Sequence, residues 1–186
     1  MKSLIIREPI EFDASAMRPH WAQEKFDILV ASIVAFHGKC NIPEQDFMDL
    51  RKRKKGPCLC AEDMLHFVAE QFQPYLEMAV LRQYLLVLIA GEKLEHRVDP
   101  SLEIIRWHDD LFLDNRKLTV TAVAKTPVST KIHLGINIDP TGTTQPAVGL
   151  AELGIDPFDL AEAIVDQYKL EMQEIREKVW SIREVR

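Results

Sequence analysis

Residues 116–138 read RKLTVTAVAKTPVSTKIHLGINI, and this stretch decides the fold. Apolar and polar side chains alternate over 116–125 and again over 131–138, on either side of the connection TPVST. A period of two puts successive side chains on opposite faces of a strand, so the pair predicts an antiparallel hairpin. A symmetric loop sets Lys125 opposite Lys131, Val123 opposite His133, Thr121 opposite Gly135 and Thr119 opposite Asn137. One face then carries Leu118, Val120, Ala122 and Ala124 with Ile132, Leu134, Ile136 and Ile138. The other gathers Lys117, Thr119, Thr121, Gly135 and Asn137. Solvated strand faces usually bear long charged side chains. Threonines and a glycine suit a surface that a ligand approaches, because glycine costs the strand stability and leaves its backbone open.

The preceding segment, RWHDDLFLDN at 106–115, brings Asp109, Asp110 and Asp114 close to Lys117 in the chain. Such a cluster suits a bound cation or a lysine held ready for an anionic substrate. It also suits an ordinary acidic turn with Asn115 in a left-handed conformation. Working outward, 4–6 and 27–36 (DILVASIVAF), the latter closed by Gly38, predict strands. Residues 61–72 place Met64, Leu65, Val68 and Phe72 at helical spacing, with Glu62 and Asp63 suited to a first turn, and predict a helix on which His66 and Glu70 share a face. Residues 75–96 are apolar all round the cylinder, as in a helix buried mid-domain.

Asp156 followed by Pro157 marks a capped helix start, and that helix is expected to run to about residue 184. Along it Ala161, Val165, Tyr168, Met172, Ile175, Val179 and Ile182 form a seam that either packs on the chain's own sheet or zips a homodimer. Neither repeat nor linker interrupts the 186 residues, so a single α+β domain over 1–186 is expected.

Charge and cysteine usage narrow the function. Against 23 Lys and Arg stand 29 Asp and Glu, a net charge of −6, which disfavours nucleic acid or an anionic membrane as the main partner. The longest apolar run, YLLVLIA at 84–90, falls far short of the roughly 18 residues that span a bilayer. MKSLII runs at once into Arg7 and Glu8, unlike a secretory leader, and the three cysteines are an odd number; a reducing cytoplasm is the expected home. Cys58 and Cys60 are too close for a usual zinc pair. The basic run at 51–55 reads as a loop, either solvated or closing over phosphates or carboxylates. It lacks the aromatic platforms that accompany nucleic-acid sites.

RWHDDLFLDNRKL at 106–118, followed by GINI at 135–138, resembles the biotin protein ligase core, which reads K-W-P-N-D-L-Y, then R-K-L-A-G, then G-x-G-I-N. RPHW at 18–21 and MLHF at 64–67 resemble an uncharacterised family of hypothetical proteins. The first resemblance implies a biotin/lipoate ligase-like fold of class II synthetase type, a mixed sheet with helices packed on one face and a ligand site on the other. It implies that Lys117 is the catalytic residue, contacting an acid's carboxylate and the reacting phosphate. Asp110, as the metal ligand, and Asp109 would lie beside nucleotide and magnesium, and Asn137 near the nucleotide phosphates. Arg116, Thr119 and Gly135 complete the implied cofactor-binding set, with ATP and Mg as cofactors.

This chain departs from the pattern in two places. Nothing upstream reproduces the G-R-G-R-R-G adenylate loop, for which 51–56 is a crude stand-in, and RKLTV replaces RKLAG. The expected ligand is therefore a small carboxylic acid other than biotin. The expected function is acyl transfer of ligase type, with a non-catalytic binding or assembly protein on the same scaffold as the alternative. Since all three cysteines precede Lys117, an acyl-cysteine route would need a different layout.

Overall fold

The stretch that ends at Gln71 is a strand. The computed structural model describes residues 1–50 and 58–185, and in it Cys58–Gln71 (β3) is the middle strand of a five-stranded sheet. This replaces the helix expected over 61–72. Leu65, Phe67 and Ala69 enter one core, while Met64 and Val68 enter a second core on the other face. A strand buried on both sides has no polar face, so its apolar residues match a helical template as well as a strand one. His66 and Glu70 do share a face, since a separation of four is even.

β1 (Lys2–Ile5) runs parallel to β2 (Ser32–Pro43), and β2, β3, β8 (Thr130–Asp139) and β7 (Thr119–Lys125) are successively antiparallel. The second predicted strand thus begins at Ser32 rather than at 27. The 3-10 turn Ala14–Met17 and α1 (Trp21–Phe26) pack on the face carrying Val34, Phe36 and Val68. Against the opposite face pack α2 (Leu76–Glu95) and α4 (Pro157–Ser181), with the short α3 (Leu150–Leu153) between β8 and α4. This is the expected α+β arrangement, a mixed sheet with its long helices on one side.

α2 is not enclosed as its composition suggests. Ala79, Leu86, Val87, Ala90 and Leu94 are buried, whereas Leu81 and Leu88 remain about half exposed. α4 starts where the cap predicts: Asp156 Oδ1 accepts hydrogen bonds from the amides of Phe158 (2.8 Å) and Asp159 (2.9 Å). No helix among the described residues is long and apolar enough to cross a membrane.

The β7–β8 hairpin forms, but one residue out of the expected register. Lys125 pairs with Thr130, Val120 with Gly135 and Thr119 with Ile136. The turn is shorter than a symmetric TPVST loop because Thr126 closes it. Its amide donates to Ser129 O (2.9 Å) and its Oγ1 accepts from the Ser129 amide (2.8 Å). A slip of one residue exchanges the faces of one strand relative to the other. Gly135 therefore shares its face with Val120 and Ala122, and Thr119 points the other way.

The predicted first strand of the hairpin also breaks at Leu118. Arg116–Lys117 (β6) belongs to a separate three-stranded sheet with β4 (Ile104–Trp107) and β5 (Asp110–Leu113). The β5–β6 turn holds both Asp114 and Asn115 at positive φ, the left-handed geometry anticipated for Asn115.

A charged apolar cleft as candidate functional site

On the sheet face opposite α2 and α4 lies a cleft of about 110 Å³. Its walls are Phe12, Met17, Ile42, Phe47, Val120 and Ala122, and its polar groups include Asp110, Lys117, Thr121 and His133. The 3-10 turn and the segment after β2 supply the outer wall, and β7 and β8 the floor. The order of the chain explains Lys117. Its strand β6 pairs with β5, so Lys117 lies beside Phe112 and near Asp110 at the start of β5. Lys117 Nζ then meets Asp110 Oδ2 at 2.7 Å, with the two side chains only 14% and 10% exposed. At that burial the pair is poorly screened and geometrically fixed.

The remaining predicted residues separate into distinct places. Asp109 Oδ2 accepts hydrogen bonds from Thr121 Oγ1 (2.8 Å) and Gln83 Nε2 (3.2 Å), tying the β4–β5 turn to β7 and α2. Thr119 Oγ1 accepts from the Leu111 amide at 2.7 Å and is fully buried, joining the two sheets. Arg116 reaches outward to Glu152 through Nη1 (2.7 Å). Asn137 Nδ2 donates to Lys117 O and to Val148 O, both at 3.1 Å. With both amide protons so engaged, Asn137 holds the backbone of Lys117 in place. Lys117 and Asn137 share a smaller space of about 30 Å³ behind the main cleft. At Gly135 a Cβ would come within 2.8 Å of Met64 Cε and 3.1 Å of Val120 Cγ2, so packing by the chain itself accounts for this glycine.

Arg18, His20 and Trp21 do not line this cleft. Trp21 is buried against Phe26 and Phe36, and the His20 amide donates to Glu70 Oε1 (2.9 Å). His66 is a satisfied core histidine: it is fully buried, and desolvation lowers its pKa to about 3. Burial, with Glu11 nearby, pushes the Cys40 thiol up to about 12, so it is no activated nucleophile. Cleft residues missed in the sequence are Phe12, Phe47 and Asp46. They come from irregular segments without periodicity, where no sequence signal marks them. The basic run 51–56 lies outside the described residues.

These geometries also test the implied magnesium. The ion commonly takes one or two carboxylates plus phosphate and water. Asp110 already faces an ammonium at 2.7 Å, Asp109 accepts from two side chains, and among the described residues no three His, Cys, Asp or Glu side chains are grouped to hold a metal. Asp110 and Lys117 thus form an ion pair at the position where the resemblance implies a metal ligand.

Residues 1–183 match a family described as a domain of unknown function, DUF366. The chain belongs to the DUF366 family. A solved member-like structure, a protein of unknown function from Pyrococcus horikoshi, is 34% identical, covers 99% of this chain and 98% of its own, and superposes with a TM-score of 0.91. Two more distant structures share the fold. The biotin protein ligase from Aquifex aeolicus in complex with biotin and ATP has a TM-score of 0.62 at 13% identity, over 94% of this chain and 72% of the ligase. Protein Ta0514 from T. acidophilum, assigned to the lipoate protein ligases and holding lipoic acid, has a TM-score of 0.59 at 11% identity, over 92% of this chain and 86% of its own. At such identities the DUF366 chain shares with them a scaffold, which by itself sets no chemistry.

Proposed function

We propose that the DUF366 cleft binds a small carboxylic acid with an apolar body, its carboxylate drawn to the Lys117 ammonium. One observation carries this reading. An apolar-walled cleft ends in a nearly buried lysine that pairs with Asp110 at 2.7 Å. An incoming carboxylate can share that ammonium through a charge-assisted hydrogen bond. Distant neighbours of the same fold hold biotin and lipoic acid, acids of the same general build. Asp109 and Asn137 act on this reading as positioning residues for the β4–β5 turn and the Lys117 backbone.

Thermal-shift measurements with a panel of short carboxylic acids test it. Stabilisation that disappears in Lys117→Ala supports the reading, and stabilisation that survives the substitution overturns it. Adding ATP and magnesium separates the two forms of the proposal. Pyrophosphate release makes the protein a ligase of the biotin/lipoate type, whereas binding without turnover makes it a ligand-binding module. We also infer a homodimer through the end of α4, where the seam residues Ile175, Val179 and Ile182 lie exposed beyond the last buried seam residue, Met172.

A further inference from the structure

Two opposite charges meet in the cleft wall, and their pairing restricts the charge a ligand can bring. Lys117 and Asp110 both line the cleft, with Nζ and Oδ2 2.7 Å apart. The backbone holds this geometry in place. The Lys117 amide donates to Pro146 O at 2.9 Å, Asn137 Nδ2 donates to Lys117 O at 3.1 Å, and Asp110 is the cross-strand partner of Trp107. Asp46 and Asp49 belong to the same lining. Among its described residues three carboxylates thus stand against one ammonium, with His133 as the remaining titratable side chain. A plain monocarboxylate brings a further negative charge to an ammonium that already pairs with one. In a poorly screened site the two carboxylates repel, and the complex carries excess negative charge. A ligand with its own positive charge removes that excess. A carboxylate accepts from several donors at once, so Asp110 can receive a ligand ammonium while keeping the partners it has.

We propose that the cleft takes α-amino acids with apolar side chains, the ligand carboxylate on Lys117 Nζ and the ligand ammonium on the Asp110 carboxylate. The proposal rests on the reading of the cleft as an acid site and adds which acids that site takes. Adjacency fixes the class. Because Nζ and Oδ2 are in direct contact, the complementary charges on the ligand must also be neighbours. They are neighbours around an α-carbon, and they are not at the two ends of an ω-amino acid. In the complex the four charges alternate in sign, which is the favourable arrangement where screening is weak. Two charge-assisted contacts side by side also set the ligand's orientation, as a single one does not. The walls Phe12, Met17, Ile42 and Phe47 then offer the side chain apolar surface, whose burial adds affinity with size.

Calorimetric titration of the full chain with three ligands of one carbon skeleton tests this: norleucine, hexanoic acid, which lacks the amine, and the ω-amino isomer of norleucine. Norleucine should bind about tenfold more tightly than either of the others. In Asp110→Asn that order should collapse, because hexanoate gains once the competing carboxylate is gone and norleucine loses the partner of its ammonium. Lys117→Ala should weaken norleucine and hexanoate alike. Hexanoate binding at least as tightly as norleucine, with both dependent on Lys117, overturns the amino-acid proposal and leaves the acid site standing. An ω-amino isomer equal to norleucine overturns the requirement for adjacent charges, and with it the α class. Failure of all three to bind overturns both readings. The comparison of ligands on the wild type needs no substitution, so it decides the proposal even where Asp110→Asn does not fold.

Discussion

Two buried ionisable residues on one strand set opposite demands on their surroundings. His66 stays neutral because its site excludes water, with its pKa lowered to about 3 from an ordinary 6.5. Between those values the unfolded chain binds a proton that the folded chain refuses, so stability falls as pH drops from about 6.5 toward 3, by up to about 1.4 kcal/mol per pH unit. Urea midpoints of the wild type and His66→Gln across pH 6.5 to about 5, above the ordinary carboxylate range, check this. The wild type should show the steeper loss, and equal slopes would refute a neutral buried His66.

Glu70 is the reverse case. Its Oε2 lies 3.1 Å from Lys131 Nζ, both side chains almost fully buried, and its Oε1 accepts from Ser129 Oγ (2.7 Å) and the His20 amide (2.9 Å). Burial lowers the Lys131 pKa despite the opposing charge of Glu70. Glu70→Ala, which strands that ammonium, should cost about 3 kcal/mol or more, and adding Lys131→Met should recover much of it, as read by chemical denaturation.

At the level of elements, Gly38 shows how one backbone contact aligns several strands. A Cβ there would run into the Ile10 carbonyl, at the point where Ile10 and Phe12 hydrogen-bond to the edge of β2 through His37 O and Lys39 O. Gly38 also bears the carbonyl that anchors His66. Gly38→Ala is expected to cost more than about 1 kcal/mol and to disturb the cleft wall at Phe12, measured as a lowered melting temperature together with weaker acid binding.

Which elements were legible follows from the same local physics. α4 was visible because Asp156 and Pro157 form a cap whose chemistry is purely local. The β7–β8 hairpin was visible because alternation survives when each strand keeps one distinct face. Its register was not, because the Thr126–Ser129 closure depends on side-chain hydrogen bonds that loop length does not reveal. β3 matches a helical pattern because burial on both faces removes the alternation. The closeness of Asp110 to Lys117 is legible in the chain, their ion pair is not, and Thr119 and Gly135 fall on one face only under the symmetric register.

In the whole molecule the two sheet faces have separate tasks, and α4 connects one of them to the exterior. Through Met172 the helix packs into the core that α2 and the sheet share, but beyond it Val179 is 65% exposed, Trp180 74% and Ile182 68%. A monomer has no structural use for such a stripe at the end of a 25-residue helix, and exposed apolar surface of this kind marks contact sites. In the proposed homodimer the occupant is a second copy, and the flanking charges suit it. Glu171, Glu174 and Glu177 precede or interleave with Lys178 and Arg183, so two antiparallel helix ends set acidic positions of one chain against basic positions of the other. Light scattering coupled to size exclusion should therefore report a dimer, and Ile175→Glu combined with Val179→Glu should yield a monomer. Since the cleft opens on the opposite side of the sheet, that monomer should keep its Lys117-dependent acid binding. A wild-type monomer would refute the dimer, and loss of acid binding in the folded double variant would refute the independence of the two faces.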